Sequence, residues 1–565
     1  MKILLLCHAF NSLTQRLFVD LRERGHEVSV EFDINDLTSE QAVELFQPDL
    51  IIAPFLKRAI PESIWRHHTC LIVHPGIVGD RGPSALDWAI MNQLDSWGVT
   101  VLQANAVMDA GDIWASAEFP MRAATKASLY RNEVTEAALS AVLEAIDKLD
   151  DPDFSPLPFS QAGVDGGWQP PMQQQQRAID WQHDDSDTVL RKIRSADGFP
   201  GVRSELAGRE LWLYDTHPAD GLRGSAGQLI AHNGDAVCVA TRDSAVWIGH
   251  LKDKHGEHPF KLPAAQVLAD EVAALPVIEG DEAGALDIIR FEQHDGIGYL
   301  YFDFYNGAMS TRQCRQLIEA LRQAKQQPLR LLVLMGGDDY WSNGMHLNQI
   351  EAADSAADES WANINAIDDL ALEIIDSPEQ IVLSMLRGNA GAGGVYLARA
   401  ADQLWATKGV ILNPHYKDMG NLYGSEYWTY QLPRFVAAAD VERIIHSRLP
   451  MGTDEARRLG LVDKIIDSPR EQLDDAIHRQ AQSLLGQDLD QLLADKRRRR
   501  IADETSRPLA DYRKQELERM RRNFYGFDPS YHVARYNFVY KVPKSHTPLT
   551  LASHRRTSDI LRRIS

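Results

Sequence analysis

The sequence lacks long apolar runs, paired cysteines and any excess of positive charge, and each absence removes a class of function. Its opening, MKILLLCHAF, holds an unbroken apolar run of only five residues, 3–7. A signal-peptide core takes about 7–15 such residues and a membrane span about 20. No later stretch reaches that length, so a soluble, cytoplasmic chain without a membrane partner is expected. Four cysteines, Cys7, Cys70, Cys238 and Cys314, are scattered over 565 residues with no CxxC spacing. That distribution fits neither a disulfide framework nor a zinc ribbon, and it predicts reduced thiols and no metal site. Lys and Arg number 59 against 80 Asp and Glu, a net charge of −21. A surplus of that sign repels a phosphate backbone, which argues against nucleic acid as a partner.

What is present is an ordinary globular composition, 44% hydrophobic and 25% charged, in a chain long enough for three or four domains. Over residues 1–160, ILLLCHAF, HEVSVEF, PDLIIAPF, CLIVHPG and GVTVLQANAVMDAGDI alternate with helical patterns as in an open parallel sheet, a Rossmann-like α/β domain. A Pro-, Gln- and Gly-rich stretch without periodicity follows, and residues 161–176 read as a linker. Residues 177–280 carry short strands such as ELWLY, GQLIAH, AVCVAT and SAVWIGH between turns, which predicts a small β-barrel or sandwich. Strand-helix alternation resumes over 285–475, and residues 476–565 read as a charged helical extension. The basic run 496–500 within it is expected to be a solvated helix face.

Two places carry chemistry. LIVHPG ends a buried strand with His74, and MDAGD places Asp109 in a glycine-containing loop after another. In a parallel sheet both loops would fall at the carboxyl edge, where an imidazole and a carboxylate can meet. Further on, GNAGAGGVY at 388–396 leads straight into a helical pattern. Such a turn presents bare backbone N–H groups at a helix N-terminus, suited to a carbonyl or a negative charge.

PDLIIAPFLKRAIP, HPGIVGDRG and GVTVLQANAVMDAGDI, in this order, resemble the catalytic domain of the 10-formyltetrahydrofolate-dependent formyltransferases, and RAIDW at 177–181 resembles the start of the barrel-like (OB-like) domain of methionyl-tRNA formyltransferases. The resemblance implies that His74 stabilises a tetrahedral oxyanion and that Asp109 orients His74 and helps move the proton. It also implies folate contacts by Phe55, Leu56, Lys57, Ile60 and Asp109. That family has an asparagine where this sequence has Ile72. Loss of one oxyanion donor costs about 2.7–4 kcal/mol at the transition state, a loss that a thiol acceptor tolerates better than an amine.

LVLMGGDDYWSNGMHLNQI and GNAGAGGVYLARAAD resemble the crotonase (enoyl-CoA hydratase/isomerase) superfamily, a ββα superhelix. The resemblance implies an oxyanion hole made by the N–H groups of Met345 and Gly393, and a coenzyme A site at Ala308, Ser342, Gly344, Met345, Gly393 and Gly394. Hydratases of that superfamily carry glutamates where this sequence has Tyr396 and Tyr416. Without both carboxylates, addition of water to an alkene is disfavoured. The one nearby acid in the aromatic stretch NLYGSEYWTY is Glu426, and Tyr416 with Glu426 is the candidate proton-handling pair.

The combination resembles the HypX (HoxX) family of hydrogenase maturation factors, and the tail NFYGFDPSYHVARYNFVYK fits it. This implies formyl transfer from 10-formyltetrahydrofolate to coenzyme A, conversion of formyl-CoA to CO, and hydrogenase accessory proteins as partners. The rival readings are a hydratase or isomerase fused to a formyltransferase, a tRNA formyltransferase, and a non-catalytic assembly factor that binds coenzyme A and folate. A crotonase assay, a tRNA-binding measurement and turnover by the isolated protein separate them.

Overall fold

A computed structural model of the chain describes residues 1–162, 166–280 and 282–556. Residues 163–165 of the expected linker and 557–565 of the expected extension lie outside the described residues. The contacts divide the chain into two units, Met1–Leu286 with Lys544–Ser565, and Asp287–Pro543.

In the first unit the strands Glu27–Phe32, Lys2–Cys7, Leu50–Phe55 and Cys70–His74 lie side by side in that order, all parallel. Their near-continuous burial is what a sheet with both faces covered requires. The helix Ser12–Glu23 begins where the Asn11 side chain accepts the Thr14 N–H at 3.0 Å. The sheet is not wholly parallel, however. Ser96–Gln103 runs antiparallel to Cys70–His74, with Thr100 opposite His74, and Ile113–Pro120 returns antiparallel to it. The last two strands are joined by a short loop with no crossover helix, and that connection permits only antiparallel pairing. Asp109 therefore arrives from a hairpin loop rather than from the carboxyl edge of a parallel strand.

The barrel-like domain is antiparallel throughout, in the order Val202–Leu206, Arg209–Pro218, Ala245–Lys252, Val237–Ala240, Leu229–His232. Helix Ser186–Arg194 buries Val189, Leu190 and Ile193 in its core. The described part of the expected linker is fastened to the first domain: the Trp88 indole donates to the Pro170 carbonyl at 2.9 Å and the Met172 N–H to Ser84 Oγ at 3.1 Å. The end of the chain also belongs to this unit. It covers the edge strand Glu27–Phe32, where the Val30 N–H donates to the Leu551 carbonyl at 3.1 Å and the Phe32 N–H to Thr547 Oγ1 at 2.8 Å.

The second unit has a six-stranded sheet in the order Ile289–His294, Ile297–Phe302, Leu331–Gly336, Ile381–Leu386, Gln403–Thr407, Lys464–Ile466. All pairs are parallel except the first hairpin. A smaller parallel sheet, Tyr340–Ser342, Asn389–Gly391 and Leu412–Asn413, takes one short strand after each of three long ones. This is the crotonase-like repeat of two strands and a helix. The helices Leu473–Leu485, Leu489–Ser506, Leu509–Tyr525 and Ser530–Val539 complete it. The run 496–500 is not simply a solvated face. Lys496 is buried and donates to Asp402 at 2.6 Å and to the Gln380 carbonyl at 2.8 Å, while Arg497 pairs with Glu379. A buried cation needs such partners.

Candidate active sites

His74 closes the strand Cys70–His74 with its ring buried between two carboxylates. Asp80 Oδ2 lies 2.8 Å from Nε2, and Asp109 Oδ2 lies 3.7 Å from Nδ1. Asp109 has left-handed backbone, φ +52°, and the Gly82 N–H donates to its carboxylate at 3.1 Å. Gly76 must lack a side chain, because a Cβ there would overlap both the His74 ring and the Asp80 carboxylate. Asp80 is absent from the sequence-based set although it stands in HPGIVGDRG. An aspartate between a glycine and an arginine reads as turn chemistry until the imidazole is seen beside it.

Ile72 is half-buried against an apolar cluster containing Ala53, Ile60 and Cys70, with Leu56 and Trp65 alongside. The position of the family's asparagine is thus part of an apolar wall. Of the residues implied to touch folate, Leu56 and Ile60 belong to that cluster. Phe55 ends its strand with its carbonyl accepting the His8 N–H at 2.7 Å, and Lys57 is exposed with its ammonium 5.7 Å from the centre of the Phe199 ring.

In the second unit the glycine-rich turn becomes the short strand Asn389–Gly391 and the helix Gly393–Arg399. Ala392 between them holds φ +47° and ψ −124°, a conformation costing a non-glycine residue about 1–3 kcal/mol. The Gly344–His346 segment is clamped to Met309, whose N–H donates to the Gly344 carbonyl at 2.9 Å and whose carbonyl accepts the His346 N–H at 3.2 Å. A Cβ at Gly344 would lie 3.6 Å from the Gly393 nitrogen, so the two halves of the implied oxyanion hole are neighbours. Among the described residues no protein group accepts the N–H of Met345 or of Gly393. Ser342 is fully buried, with Oγ accepting the Gly344 N–H at 3.0 Å, and its carbonyl fills the space a Cβ on Gly394 would need. Ala308 follows the turn Tyr305–Gly307 and is half-buried.

Tyr416 and Glu426 meet at this place. The phenol donates to Glu426 Oε2 at 2.6 Å, and a Cβ added to Gly393 would overlap the Glu426 carboxylate. Both side chains are buried. Burial, with Asp368 nearby, pushes the Glu426 carboxyl up to about 8. Burial beside that carboxylate holds the Tyr416 phenol well above its usual range, so it stays a donor. Tyr396 answers a different need. Its ring stacks on Tyr416 at 5.3 Å, 16° from parallel, and its hydroxyl donates to the Pro414 carbonyl at 2.6 Å, which fixes the loop that carries Tyr416. Three further residues around Glu426 have no counterpart in the sequence-based set: Ser425, Asp368 and Glu516.

Three sequence families match successive parts of the chain: Formyl transferase over residues 3–146, Formyl transferase C-terminal domain over 171–259, and Enoyl-CoA hydratase/isomerase over 293–528. Fold and sites thus define a class, a formyltransferase joined to a crotonase-like domain. The hydrogenase maturation factor HoxX of Bradyrhizobium diazoefficiens is 55% identical over 557 residues, 98% of this chain and 97% of its own. The crystal structure of HypX from Aquifex aeolicus in complex with tetrahydrofolic acid is 45% identical, covers 98% of this chain and 99% of its own, and has a TM-score of 0.94. A methionyl-tRNA formyltransferase of Dechloromonas aromatica is 22% identical over 255 residues, 44% of this chain and 80% of its own. The chain belongs to the HypX/HoxX family of hydrogenase maturation factors.

Proposed function

We propose that the protein converts a folate-borne formyl group into carbon monoxide, with coenzyme A as carrier, and so supplies the CO ligand of nickel-iron hydrogenase. At the first site the thiol of coenzyme A attacks the formyl carbon of 10-formyltetrahydrofolate. The C–S bond forms, the C–N10 bond breaks, and the thiol proton ends on N10. His74 stabilises the oxyanion, and Asp109 orients His74 and helps to move the proton. The tetrahydrofolic acid bound by the Aquifex relative supports folate as the donor. The apolar wall at Ile72 supports a thiol acceptor, which needs less oxyanion stabilisation than an amine.

At the second site formyl-CoA rests its thioester oxygen on the N–H groups of Met345 and Gly393, with Ala308, Ser342, Gly344 and Gly394 around the carrier. A formyl group has no α-carbon, so the enolate chemistry usual for this fold has no substrate. Glu426 instead takes the formyl proton, the C–S bond breaks to release CO, and a proton returns to sulfur to regenerate coenzyme A. Tyr416 positions Glu426 or serves the sulfur. The observation that carries this reading is the Tyr416–Glu426 hydrogen bond set directly against Gly393. Tyrosines at 396 and 416 count against a hydratase. The reading places the protein in the cytoplasm, beside the hydrogenase accessory proteins that would receive its product. Among the described residues no helix is long and apolar enough to cross a membrane.

The test is single-turnover formyl transfer. Wild type with 10-formyltetrahydrofolate and coenzyme A should form formyl-CoA, and His74→Ala should lose it while still releasing CO from formyl-CoA supplied ready-made. Transfer at the normal rate in His74→Ala would remove the first site from the account.

A further inference from the structure

Glu426 sits in a turn that its own sequence disfavours. Glu426 and Tyr427 both hold left-handed backbone, φ +59° and +58°, and neither is glycine. Each such residue costs about 1–2 kcal/mol. The turn persists because two buried carboxylates from different helices hold it. Asp368, on helix Ala356–Ile375, accepts the Glu426 N–H at 2.8 Å with one oxygen and the Ser425 hydroxyl at 2.8 Å with the other. Glu516, on helix Leu509–Tyr525, accepts the Tyr427 N–H at 3.0 Å and the Thr429 N–H at 2.8 Å. Both acids are fully buried.

We propose that Asp368 and Glu516 are positioning residues for Glu426, a pair of carboxylates whose hydrogen bonds to the 425–429 turn hold the Glu426 side chain against Gly393. The inference rests on the reading of Glu426 as the proton acceptor and extends it to the residues that place and charge it. Their placement has an electrostatic consequence. The titratable groups facing Glu426 are Tyr416 from its loop, Tyr396 from helix Gly393–Arg399, Cys314 from helix Thr311–Lys325, Asp368, and Glu516 from helix Leu509–Tyr525. A cation on the same helix as Glu516, Arg513, approaches Asp368 at 3.7 Å and pairs with Asp369 at 2.7 Å. Burial pushes Asp368 up to about 6, below the value of about 8 at Glu426. Burial is the larger cause of the raised Glu426 value, and the neighbouring Asp368 carboxylate adds to it, so removing the charge on Asp368 should weaken the hold of Glu426 on its proton.

The two acids differ in what can replace them. Asp368 bonds one N–H and one rotatable hydroxyl, so Asp368→Asn keeps both contacts: its oxygen accepts the Glu426 N–H and its amide donates to Ser425. Glu516 accepts an N–H on each oxygen, so Glu516→Gln sets an amide donor against one of them and should loosen the turn. The experiment is an isotope-edited infrared titration of the full chain with labelled glutamate, the Glu426 band being identified by its loss in Glu426→Gln, run beside CO release from formyl-CoA over the same pH range. Asp368→Asn should lower the Glu426 midpoint by about one pH unit or more, as loss of an adjacent like charge does, and should carry the rising limb of CO release with it. Glu516→Gln should lower the rate without a comparable shift. An unmoved midpoint in Asp368→Asn would overturn the inference whether or not CO is released. A moved midpoint in a protein that releases no CO would retain it and instead sink the reading of Glu426 as catalytic base.

Discussion

At the scale of single residues, the site depends on groups that are where they are because something else is missing. Gly393 has no side chain, and the Glu426 carboxylate occupies that space. Gly393→Ala should therefore displace Glu426 and cut CO release by about 10²–10⁴-fold, the worth of a positioned acid or base, while coenzyme A affinity should fall little, since the proposed site sets only the thioester end of the carrier at Gly393. Calorimetric titration with coenzyme A separates the two, and equal loss of both would indicate local unfolding. Protonation has a definite sign here. The folded Glu426 carboxyl is held at about 8, against about 4.3 for a free glutamate. CO release should rise with pH and level off above about pH 8, where the base form dominates. Stability runs the opposite way. A group whose pKa is raised by folding stabilises most below its unfolded value, and the contribution is lost as pH climbs through the folded value. The unfolding midpoint of the second unit should fall between about pH 5 and pH 9, and fall less in Glu426→Gln. A rate that declines over that range would contradict the role of base.

At the scale of elements, two of the acids missed in the sequence, Asp368 and Glu516, lie on helices whose apolar stripe they interrupt. In helix Ala356–Ile375 the buried positions include Ile364, Ile367, Asp368, Ala371 and Ile375, so Asp368 falls where spacing demands an apolar residue. In helix Leu509–Tyr525 Glu516 shares the buried face with Met520 and Phe524. A carboxylate inside a periodic apolar stripe was the available signal, and the partners that justify it come from a loop more than fifty residues away. Asp109 was legible as a residue but not as geometry, since its loop belongs to a hairpin that periodicity alone could not orient. The C-terminal segment shows the same limit. The reading of 476–565 as one helical extension fails beyond Lys544, where the chain is not helical up to the short turn Ser553–Arg555, and it gave no hint that Thr547, His554 and Arg555 close over the buried Glu31. Burial would raise the Glu31 carboxyl, but bonds from His554, Thr547 and Arg555 outweigh it and hold it below the usual range. The double variant His554→Ala, Arg555→Ala strands that charge and should cost the first unit about 3–5 kcal/mol. The check is a lower denaturant midpoint for that unit with the second unit unchanged, and an unchanged midpoint for both would show that the segment is not fastened through Glu31. Because the carboxyl pKa is depressed, this stabilisation is present above the unfolded value and disappears as pH falls through the folded one.

At the scale of the whole molecule, the order of domains was the most legible feature. Period-2 and period-3.6 patterns separated the α/β, barrel-like and crotonase-like regions, and the quoted motifs tied the first and last to chemistry. The chain's end was not legible in this way, because the residues from Lys544 onward join the first unit rather than the preceding helices. In the function proposed above the two chemistries run in sequence, formyl transfer to a thiol and then loss of CO from the thioester. The measurement that tests this most directly supplies purified protein with 10-formyltetrahydrofolate and coenzyme A, traps CO with a haem protein and follows formyl-CoA by chromatography. Wild type should release CO with coenzyme A regenerated. Glu426→Gln and Tyr416→Phe should each accumulate formyl-CoA with CO reduced by about 10²–10⁴-fold, and the double variant should be little worse than either single one because the pair acts as a unit. Undiminished CO from both single variants, or no formyl-CoA and no CO from wild type, would contradict the account.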